Sequence, residues 1–503
     1  MKKMLSKYML GIVFALLTFS CTDLDEKVYS DLPMDDFLTT EEALLMNAGR
    51  AYVKLQSFPE EQSLWSVMEN SSDEVAVPTR SDGEWDNQGR WKQLQNHSID
   101  PTNTILRGGW RFVTEGISAC NEILYITEMS PVEFAGKDKI LAEIRILRAL
   151  YYYWLTDCWG NVPFAIDYTD QTLPPQKDRA FIAEFIEKEI KDNINALDAE
   201  PTKANYGRVT QSMANLLLAK LYMNSEAWFG TPRYDEAIAL CDEIIGTGYY
   251  QIEDNYFDNF KIDNTGSKEN IFVIPYDKVL TVDKFYWFTL SLNDASRASF
   301  TFNGNMWDGF VCQPDFFALF DNADLRKKSF LYGQQYDKQG NPIIVNGENF
   351  IYDPNIANYS SRKKWEGARI CKYEYQEGLE YGYTNMENDF VLFRYADVLY
   401  TKMEALWRKD GTAGTFLNDA DLQKIRTRAG MPVYTAADIT KQELINEFGR
   451  EFAWEGRRRQ DLIRFDMWGN PWWNKASSNA AKKLFPIPKT ALDTNSNLVQ
   501  NPL

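Results

Sequence analysis

The sequence predicts a mostly α chain, a tetratricopeptide-like helical repeat scaffold that carries a loop-rich insertion containing short strands. Three observations carry this reading. Apolar residues recur at helical spacing through much of the first half of the chain and again towards its end. The stretch 210–246 reads as a helix pair with small residues inside and an aromatic at the turn. Such hairpins stack because one pair cannot bury its own face. Between about 249 and 389 the periodicity gives way to Gly- and Asn-rich turns around short β-prone runs.

The chain opens with Lys2, Lys3 and Lys7, then an apolar run over 9–19 that is too short to span a bilayer and suits a signal-peptide core. Small Ser20 precedes Cys21, so cleavage before Cys21 and acylation on it are expected. Several acyl chains anchor stably where one is marginal. Residues 22–40 then read as an extended acidic tether.

The pattern predicts an amphipathic helix over 40–56, with Leu44, Leu45, Ala48, Tyr52 and Leu55 on one side. Residues 57–103 look irregular. Helices are expected over 103–129, 137–159, 180–197, 210–229 and 234–245, with Gly246 and Gly248 as the stop. Within the insertion the β-prone runs are IFVIP (271–275), FYWFTL (285–290) and NPIIVNG (341–347). Helical patterns return over 390–408, 413–429 and 441–455, and the prolines of the closing segment exclude a regular helix there. The organisation expected is a signal peptide (1–20), a lipidated tether (21–40) and one domain (41–503). That domain is helical over about 41–248 and 390–503, with the insertion over about 249–389.

Composition removes several function classes. The formal charge is −18, and loss of the three signal lysines takes it to −21. So acidic a surface repels nucleic acid and anionic polymers but leaves neutral ligands unaffected. His97 is the only histidine, which removes His-based triads and HExxH zinc sites. Of six cysteines, Cys21 serves the anchor. Cys120, Cys158, Cys241, Cys312 and Cys371 are scattered without a CxxC, and most are expected to be small buried residues. No cofactor is indicated. A structural calcium at an oxygen-rich loop such as FDNAD (320–324) stays open, without an EF-hand pattern.

Five stretches, in order, carry a family likeness. They are LRALYYYWLTDCWGNVPF (147–164), FRYADVLYTKMEAL (393–406), LQKIRTRAG (422–430), REFAWEGRRRQDLIRF (450–465) and the closing LFPIP (484–488) with the terminal QNP. Together with Cys21 they resemble the SusD/RagB family of outer-membrane nutrient-binding lipoproteins. The likeness covers nearly the whole mature chain, so 41–503 reads as a single SusD-like domain. It implies capture of a glycan at the cell surface, without catalysis, beside a TonB-dependent transporter of the SusC type.

Most of these motifs have structural work to do. Glu451 and Glu455 lie one helical turn apart, which raises the alternative of a glycosidase acid pair. A proton donor needs a raised pKa, and the surrounding Arg450, Arg457, Arg458 and Arg459 push the other way. An ion-pair network holding the terminal helices to the scaffold is the expectation. Arg394 and Asp397 are expected to pair within or between helices, and Tyr151, Tyr152, Tyr153 and Trp154, pointing all round a helix, to form a buried strut.

A neutral sugar needs exposed aromatic faces edged with amides and carboxylates. Two irregular regions qualify. TRSDGEWDNQGRWKQLQN (79–96) offers Trp85 and Trp91 among Asp82, Asp86, Asn87, Gln88 and Arg90. The insertion offers Tyr286, Trp287 and Trp307, with Trp365 a weaker candidate. Trp91 can equally anchor its loop, and Trp287 and Trp307 can equally be core. Two other functions stay open: the same fold capturing a peptide, and a glycoside hydrolase with an acid pair that no motif identifies.

Overall fold

The computed structural model describes residues 38–281, 284–302, 304–360, 364–377 and 386–502. The signal segment and Cys21 lie outside the described residues. The first half folds as α1 (Glu41–Leu55), α2 (Leu64–Asn70), α3 (Arg90–Gln95), α4 (Thr104–Met129), α5 (Lys137–Trp159), α6 (Arg179–Asn193), α7 (Gln211–Phe229) and α8 (Tyr234–Gly246), of which all but α2 and α3 were expected. Side-chain oxygens of Thr40, Asn103 and Thr210 accept from first-turn N–H groups and set where α1, α4 and α7 begin. From α4 to α8 each helix packs on the next, and α1 lies against α4. The chain is therefore mostly α, with antiparallel helix pairs stacked as the repeat pattern requires. Among the described residues no helix is long and apolar enough to cross a membrane.

The strut in α5 is buried at Tyr151, Tyr152, Tyr153 and Trp154 alike. Close packing there depends on Gly116 of α4, where an added Cβ would fall 2.4 Å from the Tyr151 ring. All five described cysteines are free; four are buried and Cys371 is half-buried.

Three expectations need correction. The region 57–103 contains α2, every residue of which is buried, and the shorter α3. FYWFTL forms no strand: α9 (Trp287–Ser291) is a short helix whose neighbours on both sides are aromatic, so its continuous apolar run is buried all round. The third concerns 390–408. Its first five residues are a strand, paired antiparallel as β2 (Phe390–Arg394) with β1 (Asn270–Ile274), and α10 (Tyr395–Asp410) begins only after it. A run as apolar and aromatic as FVLFR is buried on both faces, where helix and strand look alike in sequence.

Three further helices, α11 (Ala420–Arg428), α12 (Lys441–Phe452) and α13 (Arg458–Arg464), complete the scaffold. A short α14 (Lys489–Thr494) begins directly after Pro488, so the closing prolines bound a helix and do not exclude one, a further correction. The ion-pair network exists, but its partners come from far away in sequence. Arg394 reaches Glu269 (2.7 Å), Glu451 (2.7 Å) and Glu455 (2.9 Å), all fully buried. Arg326 binds Asp324 (2.8 Å), Glu447 (2.8 Å) and Glu451 (2.9 Å), and Arg428 joins Glu269 to Glu451. This cluster fixes the insertion to α11 and α12. The neighbouring arginines work elsewhere: Arg457 pairs with Asp397, which also takes Lys220 of α7, and Arg459 pairs with Asp157 of α5. Arg394 and Asp397 thus belong to separate clusters. Asp324 of the FDNAD loop spends its carboxylate on Arg326. Among the described residues no group of three metal-ligating side chains gathers there or elsewhere.

The network makes stability depend on pH. Burial pushes the Glu269 carboxyl up, but Arg428 and Arg394 overcome this and hold it at about 2. Burial acts likewise on Glu447 and Glu451, whose arginines hold both below the usual range. Such groups stabilise the fold above the ordinary Glu value of about 4.3, and that share is lost as the pH falls towards about 2. Buried His97, held neutral down to about 3 by burial and Lys475, adds to the acid loss. Glu69 has the opposite sign. Burial raises it to about 7, so its contribution is present in acid and lost as the pH rises through neutrality. The urea midpoint is expected to peak at about pH 5–6, fall steeply below about pH 4 and decline gently above 7. A midpoint flat from pH 3 to 8 would contradict this.

Candidate functional site

A cleft of about 1000 Å³ opens where the first loop and the insertion meet. Trp85, Trp307 and Trp365 line it, with Asn87, Asn293, Asn305 and Asn346 as amides and Glu61, Glu84, Asp294 and Glu348 as acids. Each indole is set by identifiable local chemistry.

Trp85 follows a turn at Asp82-Gly83 that Arg80 closes with its own backbone, donating to Glu84 O (2.8 Å) and accepting from the Gly83 N–H (2.9 Å). Trp85 itself takes a left-handed φ of 62°, rare for so bulky a residue. Of nine non-glycine residues with positive φ among those described, Trp85, Asn87, Asp308 and Asn346 line this one cleft. Strain of this kind persists where surrounding structure over-determines it, and it concentrates at functional sites. The Trp85 Nε1–H donates to the Trp307 carbonyl (2.5 Å), tying the two platforms together. Its ring stands edge-on to Phe310 at 5.8 Å. Gly309 makes room for it: a Cβ there would fall 2.4 Å from the indole.

Trp307 is held from behind by Tyr286, whose ring meets it edge-on at 5.8 Å, and its N–H donates to the Thr289 carbonyl of α9 (2.6 Å). Trp365 packs edge-on against Phe350 at 6.0 Å. Two buried guanidiniums clip the loops that carry these rings. Arg80 donates to the carbonyls of Asp308 (2.6 Å), Gly309 (3.1 Å) and Glu366 (3.1 Å). Arg369 donates to the carbonyls of Lys364 (2.6 Å) and Ser291 (3.0 Å) and pairs with the Asp308 carboxylate (2.7 Å). Burial lowers Arg80 to about 10, so it stays charged at neutral pH. Neither arginine was legible in the sequence, since neither sits in a motif, Arg80 reaches backbone oxygens more than 200 positions away and Arg369 binds mainly backbone carbonyls.

The structure separates the sequence candidates. Trp85 and Trp307 face the cleft, and Trp365, the weaker candidate, joins them. Tyr286 supports Trp307 from behind; its hydroxyl accepts from the Glu61 N–H (3.4 Å). Trp91, 1% exposed, and Trp287, 2% exposed, are corrections: both are core residues with no face to offer a ligand. Trp91 packs behind Trp85 against Phe310. Trp287 sits among Trp65, Tyr373, Phe390 and Trp454, its Nε1–H donating to the Pro59 carbonyl (3.2 Å). Glu451 and Glu455 are buried in the ion cluster, away from the cleft lining.

Gly309→Ala tests the support of Trp85 without touching a polar group. The added methyl should displace the indole and weaken binding of a ligand stacked on it by roughly tenfold, a penalty typical of an overpacked contact. Affinity unchanged in affinity electrophoresis would show that the position of Trp85 is immaterial.

The scaffold, the insertion and an aromatic cleft between loops have counterparts among known proteins. The SusD family model matches residues 268–503, and a second, described as starch-binding and associating with the outer membrane, matches 24–223. This chain belongs to the SusD family. It is 26% identical over 498 residues to the starch-binding protein SusD of Bacteroides thetaiotaomicron, covering 90% of this chain and 85% of that one. Surface glycan-binding protein A of the same organism, solved with laminarihexaose, superposes with a TM-score of 0.73 at 25% identity, covering 92% of this chain and all of that one. A laminarin-binding SusD-like protein shares the fold with a TM-score of 0.75 at 21% identity, covering 92% and 99%. These relatives are named as binding proteins.

Proposed function

We propose that this chain is a lipoprotein acylated on Cys21, held at the outer membrane facing outward. It binds a neutral polysaccharide or oligosaccharide over Trp85, Trp307 and Trp365 and passes it to a TonB-dependent transporter of the SusC type. The observation that carries this reading is the meeting of three indoles in one cleft lined by four asparagines and five acids, Asp308 among them. Sugar C–H faces stack on such rings while hydroxyls bond the rim. Lys364, the one cation among the lining residues, is already paired with Asp82 (2.7 Å) and Glu84 (2.9 Å), so the rim favours an uncharged chain. Starch and laminarihexaose, the ligands in the relatives' names, are both neutral glucans and are the first to try.

Affinity electrophoresis of the mature protein against neutral glycans, with reducing ends assayed in parallel, tests this. Retardation by one glycan class without product release is expected. Release of reducing ends would overturn binding without catalysis and point to Glu61, a cleft acid that burial raises. Retention of peptides in place of every glycan would move the reading to peptide capture.

A further inference from the structure

A second cleft, of about 530 Å³, is built from residues 201–206, 249–250 and 265–270 and shares no lining residue with the first. Its aromatic walls are Tyr206, Tyr249 and Tyr250, with Lys203 and Lys268 alongside. Tyr249 is 40% exposed and offers a ring to a ligand. Tyr206 is held rigid, its hydroxyl donating to Asp389 (2.6 Å), and Tyr250 stacks on Tyr395 at 6.3 Å. Hydroxyls of Thr202, Thr265 and Ser267 complete the edge.

The two lysines set this cleft apart. In a chain of formal charge −18 a cation normally pairs with an acid, yet the acids nearest these two each hold another partner. Asp263 accepts from the Thr265 hydroxyl (2.6 Å), Asp254 pairs with Lys424 (2.6 Å), and Asp389 accepts from Tyr206 and from the Tyr276 N–H. Glu253 accepts from the backbone N–H of Lys268 (2.7 Å), and Glu269 is locked between Arg394 and Arg428. Among the described residues neither the Lys203 nor the Lys268 ammonium forms an ion pair, although the charge of Lys203 reaches Asp263 and that of Lys268 reaches Asp254. On the inner wall, neither polar atom of the Asn270 carboxamide has a hydrogen-bond partner.

We propose that this cleft is a second ligand site, specific for an anionic saccharide unit bearing a carboxylate or sulfate. Its ring stacks on Tyr249, its charge is taken by Lys203 and Lys268 through charge-assisted hydrogen bonds, and its hydroxyls meet the threonine and serine edge. The two clefts are then opposite in sign. The acid rim of the first turns away the ligand that the second accepts.

Saturation-transfer NMR on the mature protein with D-glucuronate, and with D-glucose as the uncharged control, tests this. Trp307→Ala is used as the background so that the first cleft does not contribute. Glucuronate is expected to give a signal that weakens with added NaCl and falls about tenfold in affinity in Lys203→Ala/Lys268→Ala, whose exposed side chains leave the fold intact. Glucose is expected to give no signal in this background. Absence of a glucuronate signal, a signal indifferent to the lysine changes, or an equal response to glucose would overturn the proposal. Each of those results leaves the reading of the first cleft as it stands.

Discussion

Trp307→Ala should remove most of the glycan affinity, with Trp85→Ala close behind. A ring that shields ~100 Å² of apolar surface contributes ~2.5 kcal/mol at ~25 cal/mol/Å². Losing it lowers affinity by ~70-fold. Ordering a flexible oligosaccharide already offsets much of the gross gain, so little binding survives the loss. Trp307 carries the larger expectation because its carbonyl also accepts the Trp85 Nε1–H, so a disturbed 307 loop moves both platforms. Isothermal titration with the glycan that retards the wild-type protein reads the effect. Trp287→Phe is the control, since it alters a buried ring that no ligand touches, and its affinity should be unchanged.

The second large effect concerns stability. Arg394→Met leaves Glu269, Glu451 and Glu455 short of a partner inside a site with no exposure. Breaking one buried pair typically costs about 3–5 kcal/mol, because the remaining charge is stranded away from water. Urea unfolding should therefore show a loss of at least that size, or no folded protein at all. Adding Glu455→Gln should restore part of it by removing one stranded charge. Lys54→Ala, which breaks an exposed pair with Glu115, should cost no more than about 1 kcal/mol. If the Arg394 and Lys54 variants were equally stable, the buried cluster would not hold the insertion in place.

The helices were legible in the sequence because each carries its own evidence: a period of 3.6 and a length that excludes a strand. The span 137–159, which begins after Gly136 without a side-chain cap, was read to the residue on those grounds. Phe390–Arg394 was not, because a run apolar on every side has no period to read, and its partner strand lies some 120 positions earlier. The same limit explains the site. Trp85 was legible because a tryptophan amid Asp, Gly and Asn has few ways to hide. Trp91 met the same compositional test and Trp287, inside the apolar FYWF run, was evenly balanced, yet both are buried by Phe310, Trp65 and Trp454, contacts that arise only when distant segments fold together. Trp365 was undervalued because the features that aim it, Phe350 and the two clipping arginines, leave no local trace. Glu451 and Glu455 were read correctly as ion-pair partners, but the arginines that bind them are not their neighbours in sequence.

The most direct test of the central claim is a crystal structure of the mature protein with an oligosaccharide of the glycan that it binds. The account predicts sugar rings lying against Trp85, Trp307 and Trp365, with hydroxyls on the asparagine and acid rim. Sugar bound at another surface, with that cleft empty, would contradict it.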